Sequence, residues 1–514
     1  MKVFLMFRNR DFDLKQELSS NEQALIQDLE LGTLFDTMTL DDKFLLEVAR
    51  KAVLSGLSND LDTILYRQDI LKDCLENPSV VRDIYNIVVE LIENRQRSWY
   101  GFWGVTHYPG SILYNSVKTV ELFVDVLKKL RDIVDEHAGK FRSERFTALF
   151  AMLKQELSDE YFDSIKKHLK MLEFKNGVLV SAELGKGNEG TGYVLRKPHV
   201  EKRSWMERVF AKKPPAYTFH LAPRDEAGAR ALSEMRDRGI NLVANALAQS
   251  ADHILSFFEM LRTELAFYIG CLNLHEQLAR MGEPVCFPLP VAAGMRRHAF
   301  RGLYDVCLAL KMKRRVVGNE ANADNKSVVI VTGVNTGGKS TFLRSIGLSQ
   351  LMMQCGMFAP AEVFSSSLCD GLFTHYKREE DITMKSGKLD EELARMSQIV
   401  DHITPNPLLL FNESFAATNE REGSEIARQI VSALLENGVR IFFVTHLYPF
   451  AHGFVDKKME DRLFLRAERR AGGQRIFKLV EGEPLETSYG EDLYNRIFEG
   501  APSLERQTQD ENER

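Results

Sequence analysis

The sequence predicts a mixed protein: an α-helical region carrying a small β-rich insert, followed by an α/β domain built on parallel strands. Three observations predict it. Apolar residues recur at helical spacing from the start of the chain to about residue 170. Short alternating runs broken by glycines follow near residue 172, as in β-hairpins. Beyond "VCFPLP" come three nearly continuous apolar runs of strand length, "SVVIVTG", "PLLLFNE" and "VRIFFVTH". Each ends in polar residues, the pattern of parallel strands buried on both faces.

In chain order, "DDKFLLEVARKAVLSGL" sets Phe44, Leu45, Val48, Val53 and Leu54 at roughly helical spacing, and "PSVVRDIYNIVVELIEN" and "SVKTVELFVDVLKKLRDIVDEH" repeat the pattern. Helix resumes near Asp225 and runs, with breaks, to Gly282 and Pro284. The expected domains are a helical core at 1–285, with a β-rich, basic insert at 172–224, and an α/β domain at 286–500. A polar tail at 501–514 is expected to be disordered. "GSEIARQIVSALLENG" reads as a helix with Ile426, Ile430 and Leu434 on one face and Gly438 as its stop. "RIFKLVEGEPLETSYG" reads as an edge strand and turn, and the basic "KMKRR" at Lys311–Arg315 as a solvated strand end. "FFE" at Phe257–Glu259 falls within an amphipathic helix and reads as core.

With 514 residues, two to four domains are expected. Six scattered cysteines without a Cys-x-x-Cys pair argue against a disulfide scaffold or zinc site and for a reducing, cytoplasmic setting. No apolar run is long enough to span a membrane, and the N-terminal apolar stretch is too short for a signal sequence. A net charge of −6 excludes a general polyanion binder, so any nucleic-acid contact must be a local basic patch.

The chemistry is concentrated in "VVIVTGVNTGGKSTFLRSIG". Gly333 and Gly338-Lys339-Ser340 have the spacing of a phosphate-binding loop, with Asn335 and Gly337 inside the turn and Thr341 beyond it. Its backbone N–H groups would face phosphate oxygens, reinforced by the N-terminus of the following helix. Lys339 would reach the β- and γ-phosphates of ATP, and Ser340 would ligate Mg²⁺. On a second strand end, Glu413 fits the base that orients an attacking water. Asn412 stands where an acid is expected, so it would act on Mg²⁺ only through a bound water and leaves hydrolysis slow. On the third, His446 is placed to hydrogen-bond the γ-phosphate.

These residues together resemble the MutS family of DNA mismatch-repair ATPases, a branch of the ABC-type ATPases. "TGVNTGGKSTFLRSIGLSQLMMQCGMFAPA" is similar to that family's phosphate loop and following turn, "LLLFNESFAATNEREGSEIARQIVSALLENG" to its acid-bearing strand, and "IFFVTHLYPFA" to its histidine strand. The resemblance implies a lever in the helical region, a homodimer with two shared ATP sites, and Ser386 acting in trans. It matches Asn319 to a base- or ribose-facing asparagine. Phe-Ala-Ala-Thr at 415–418 departs from the family's Gly-Arg-Gly-Thr loop, and the chain carries no Phe-x-Glu mismatch wedge ahead of its helices. The expectation is a short member that does not read mismatches.

From Arg196 to Arg224 the insert holds eight Lys or Arg against two Glu, with Trp205, Phe210, Tyr217 and Phe219 interleaved. Lys202, Arg203, Lys212 and Lys213 are candidate DNA contacts through phosphates, and the aromatics could stack on bases or anchor the insert's own core. Two functions follow: an ATP-driven DNA clamp in repair or recombination, or a slow nucleotide-gated scaffold for a protein partner.

Overall fold

The computed structural model describes residues 1–100, 108–175, 177–197, 220–334, 337–378, 387–455, 460–469 and 475–485. The chain opens with four helices, α1 (Glu22–Asp28), α2 (Leu31–Thr39), α3 (Lys43–Leu54) and α4 (Leu61–Glu76). Asp42 and Asp60 start α3 and α4 by accepting from backbone N–H groups of the first turn. Then come α5 (Pro78–Tyr100), α6 (Pro109–His137), α7 (Glu144–Glu156) and α8 (Asp159–Leu172). A hairpin of β1 (Val180–Leu184) and β2 (Gly190–Leu195) follows, as the glycine-broken alternation predicts.

The next helix, α9 (Glu226–Arg280), is continuous over 55 residues, where the sequence suggested breaks. Its glycines are points of close approach. A Cβ on Gly239 would meet Val180 at 2.6 Å, and one on Gly270 would meet Met38 at 3.2 Å. Phe257 and Phe258 are buried, and Phe258 packs on Phe123.

The remaining elements are β3 (Leu289–Val291), β4 (His298–Leu303), α10 (Val306–Met312), β5 (Asn319–Asn322), β6 (Val328–Thr332), α11 (Lys339–Gln354), β7 (Val363–Ser367), β8 (Gly371–Tyr376), α12 (Lys388–Asp401), β9 (Pro407–Asn412), α13 (Glu420–Glu436), β10 (Arg440–Val444), α14 (Tyr448–Val455), β11 (Arg462–Arg469) and β12 (Arg475–Glu481). A six-stranded sheet runs β12-β11-β6-β10-β9-β8, parallel except for antiparallel β12 at the edge. A smaller sheet runs β3-β7-β4-β5. The three apolar runs are β6, β9 and β10, and β6 and β10 are buried along their whole length. Phe411 and Phe443 stack at 4.8 Å across β9 and β10, and Phe450 of α14 covers Phe443 at 4.6 Å. Such pairs add about 0.5–1.5 kcal/mol each beyond their buried area.

Contacts group the chain into two compact units, Met1–Val3 with Ser79–Thr263 and Phe4–Pro78 with Glu264–Arg514. The sequence reading puts residues 1–285 in a helical domain and 286–500 in an α/β domain. The contacts group residues 4–78 with the α/β part, and polar side chains also join the two. Asn59 donates to Gln354 O at 2.9 Å, and Arg67 donates to Cys355 O at 3.3 Å. Asn21 donates to Leu372 O at 2.6 Å, and Glu30 pairs with Arg344. Among the described residues, no helix is long and apolar enough to cross a membrane.

Candidate nucleotide site

The site forms at the carboxyl ends of β6, β9 and β10. The turn after β6 needs glycine at two described positions. Gly333 has φ +116° and Gly338 φ +88°, conformations that other residues adopt only at a cost. At Gly337 the constraint is space, since a Cβ would meet Ala467 and Val334 O at 2.9 Å. Gly338 then caps α11, whose first turn holds Lys339, Ser340 and Thr341. Lys339 is buried, and its ammonium donates to two carbonyls of the turn itself, Gly333 O at 2.9 Å and Val334 O at 3.0 Å. Burial pulls its pKa down, and the Glu413 charge opposes that shift. So Lys339 and Glu413 act on one another although they lie on different elements.

Ser340 Oγ donates to Asn412 Oδ1 at 2.9 Å, joining the turn to the end of β9. Glu413 follows at φ +53°, and Phe415 at φ +62°. Two non-glycine residues in left-handed backbone cost about 1–3 kcal/mol each, so the surroundings must hold this loop. Glu413 N donates to Val444 O at 2.9 Å, and Glu413 Oε1 lies 4.0 Å from His446 Nδ1. The sequence-predicted Gly337, Gly338, Lys339, Ser340, Thr341, Asn319 and Glu413 all line one cavity of about 570 Å³. His446 stands beside Glu413 rather than on the cavity wall. Asn335, Ser386, Lys202, Arg203, Lys212 and Lys213 lie outside the described residues.

Asn319 is buried, and its side chain is spent on β12: Oδ1 accepts from Leu479 N at 2.8 Å and Nδ2 donates to Phe477 O at 3.5 Å. It therefore holds β12 against the cavity. Phe477, which sequence reading missed, sits over the turn, where a Cβ on Gly338 would touch it at 3.6 Å. Leu308, Met312 and Val317 line the cavity with it, so the lining joins apolar side chains to Lys339 and Ser340. Lys311–Arg315 is not a strand end. Lys311 and Met312 close α10, and Arg314 and Arg315 lie on the cavity wall. That placement follows from the turn between α10 and β5, which no local pattern announces.

The cavity size suits a nucleotide. The glycine turn and the buried Lys339 ammonium have the chemistry to hold phosphate groups, and the lining also offers apolar side chains. Ser340 and Asn412, joined by their hydrogen bond, are the side chains that would hold Mg²⁺, with Glu413 next in the chain.

Fold and site together define a class: a helical unit joined to an α/β unit whose glycine turn opens a helix at the carboxyl end of a parallel sheet. Two family profiles match the chain, the MutS2 N-terminal domain over residues 59–281 and MutS domain V over residues 329–502. The chain belongs to the MutS family. It is 32% identical over 167 residues to the DNA mismatch repair protein MutS of Thermus aquaticus, covering 32% of this chain and 20% of that protein. To the Listeria welshimeri protein of the same name it is 23% identical over 304 residues, 57% of this chain and 35% of the relative. To the mouse MutS protein homolog 4 it is 29% identical over 152 residues, 30% and 16%. The chain thus spans about a third or less of the length of these relatives.

Proposed function

We propose that the chain binds and hydrolyses ATP and works as a dimeric, nucleotide-driven clamp on DNA, in repair or recombination, without reading mismatches. The observation that carries the reading is the meeting of Lys339, Ser340 and Glu413 at one cavity, with Ser340 hydrogen-bonded to Asn412. Lys339 and the first-turn N–H groups of α11 would hold the phosphates. Glu413 would take a proton from water as the water oxygen bonds the γ-phosphorus and the bridging P–O bond breaks, giving ADP and phosphate. Mg²⁺ held near Ser340 and Asn412 would offset the charge that gathers on the leaving oxygen. His446 would fix the Glu413 carboxylate and the γ-phosphate. In the clamp, Ser386 of a second copy completes each site and Lys202, Arg203, Lys212 and Lys213 grip the DNA backbone. Phe257 and Phe258 are buried, so the Phe-x-Glu letters at 257–259 do not present a ring for a base to stack on.

A nucleotide-gated protein scaffold is the second reading, favoured by one observation: Asn412 brings no charge to the metal side. Steady-state ATP turnover, with and without duplex and branched DNA, separates the two. The clamp predicts turnover that changes with DNA and that falls about 10²–10⁴-fold in Glu413→Gln. ATP binding with turnover indifferent to every DNA offered supports the scaffold, and unchanged turnover in Glu413→Gln removes Glu413 as the base.

A further inference from the structure

Behind Glu413 lies a buried polar cluster that neither the phosphates nor the metal side uses. His375, at the end of β8, is fully buried, as is Ser414. Nδ1 of His375 lies 2.7 Å from Ser414 Oγ, and Nε2 lies 2.9 Å from the Glu392 carbonyl of α12. The imidazole also stacks on Phe415, with centroids 5.2 Å apart and planes 20° apart. The Glu392 carboxylate accepts from Phe415 N at 2.7 Å. Ser414 is therefore gripped between two left-handed residues, Glu413 and Phe415.

The protons can be counted. A carbonyl only accepts, so Nε2 carries the ring proton toward Glu392 O. Burial keeps the ring neutral, with a pKa pulled down to about 4. Nδ1 is then bare and accepts from the Ser414 hydroxyl. That hydroxyl also lies 2.6 Å from His375 O, so its single proton has two acceptors, both on His375. Among the described residues, both acceptors of Ser414 Oγ–H thus belong to one residue, which is itself fastened to α12.

We propose that His375 is a positioning residue for Glu413: by linking Ser414 to α12 it fixes the left-handed turn that presents the Glu413 carboxylate to the cavity. The inference rests on Glu413 being the base of ATP hydrolysis. It also makes α12, through Glu392, a second support of the same turn.

The test is ATP turnover of the full chain in a double-mutant cycle of His375→Phe and Glu413→Gln, with thermal unfolding as the folding check. Phenylalanine keeps the stack on Phe415 and deletes both ring hydrogen bonds. The expected result is a kcat about tenfold lower or more, a KM for ATP within about twofold, and no further loss in the Glu413→Gln background. His375→Asn, which keeps a polar atom toward Ser414, restores more of kcat than His375→Gln, which reaches toward Glu392. Where the ring substitution does not fold, Ser414→Ala removes the shared hydroxyl without added volume and is expected to lower kcat in the same way. A kcat unchanged in His375→Phe or in Ser414→Ala, or lowered equally in both backgrounds, overturns the proposal and leaves Glu413 as the base. A Glu413→Gln enzyme with undiminished turnover overturns both.

Discussion

Asn412 accepts a hydrogen bond from Ser340 with its amide oxygen and brings no charge of its own. An amide dipole attracts a divalent cation far less than a carboxylate at the same distance, because the charge term is missing. Replacing Asn412 by Asp keeps the acceptor for Ser340 and supplies that charge. The expected result is a half-saturating Mg²⁺ concentration for ATP turnover lower by about tenfold or more, ~1.4 kcal/mol. Without metal, the new carboxylate adjoins Glu413, so Asn412→Asp should unfold at a lower temperature than the parent chain in chelator and recover with Mg²⁺. A magnesium titration identical to the parent's would remove residue 412 from the metal side. At this scale much of the site is legible in the sequence: Gly337 to Thr341 are neighbours in the chain, and Asn412 and Glu413 end an apolar run. Phe477 and His375 are not legible, because they reach the site through strand pairing. His375 stands opposite Phe411 only by the β8–β9 register, and Phe477 by the pairing of β12.

Helix α13 shows how an element can be shaped by the loop in front of it. Asn419 caps its start by accepting from Glu422 N at 3.0 Å. One residue later, Gly423 leaves room for the loop: a Cβ there would collide with the carbonyl oxygen of Phe415. In an exposed helix interior, Gly→Ala stabilises by about 1 kcal/mol. Here the sign should reverse. Gly423→Ala must displace the backbone at Phe415, beside the turn that carries Glu413, and overpacking of this kind costs about 1–3 kcal/mol. Urea unfolding is expected to show that loss, with ATP turnover falling alongside. A variant as stable as the parent, with full turnover, would mean that the loop moves aside freely. The amphipathic pattern of α13 was readable in advance because it is local. The reason for glycine at 423 was not, because it lies in a carbonyl eight positions upstream whose backbone is left-handed. The same holds for α9, whose glycines resemble breaks until the side chains of Val180 and Met38 are seen against them.

At the scale of the whole chain, the N-terminal segment from Phe4 belongs to the same compact unit as the nucleotide cavity, and one buried carboxylate fastens it. Glu264 accepts from Phe12 N at 2.9 Å and from Leu5 N. Tyr268, one turn on, donates to Leu5 O at 2.6 Å. Burial lifts the Glu264 pKa to about 7, and the backbone N–H donors offset only part of that rise. The folded state therefore holds this proton more tightly than the unfolded chain, whose glutamate titrates near 4.5. The associated stability is present in full below pH 4.5 and is lost as pH rises through about 7. The loss is at most about 3 kcal/mol, since each tenfold gain in proton affinity on folding is worth about 1.4 kcal/mol. Glu264→Gln cannot titrate and leaves one backbone donor without its acceptor, so it should be less stable than the parent chain at pH 5. The gap should narrow by up to about 3 kcal/mol by pH 8, when the parent carries a buried charge. Chemical denaturation of both chains from pH 5 to 8 reads that gap directly. A gap independent of pH would mean that Glu264 stays in one protonation state throughout, and that its hold on residues 5 to 12 owes nothing to the proton.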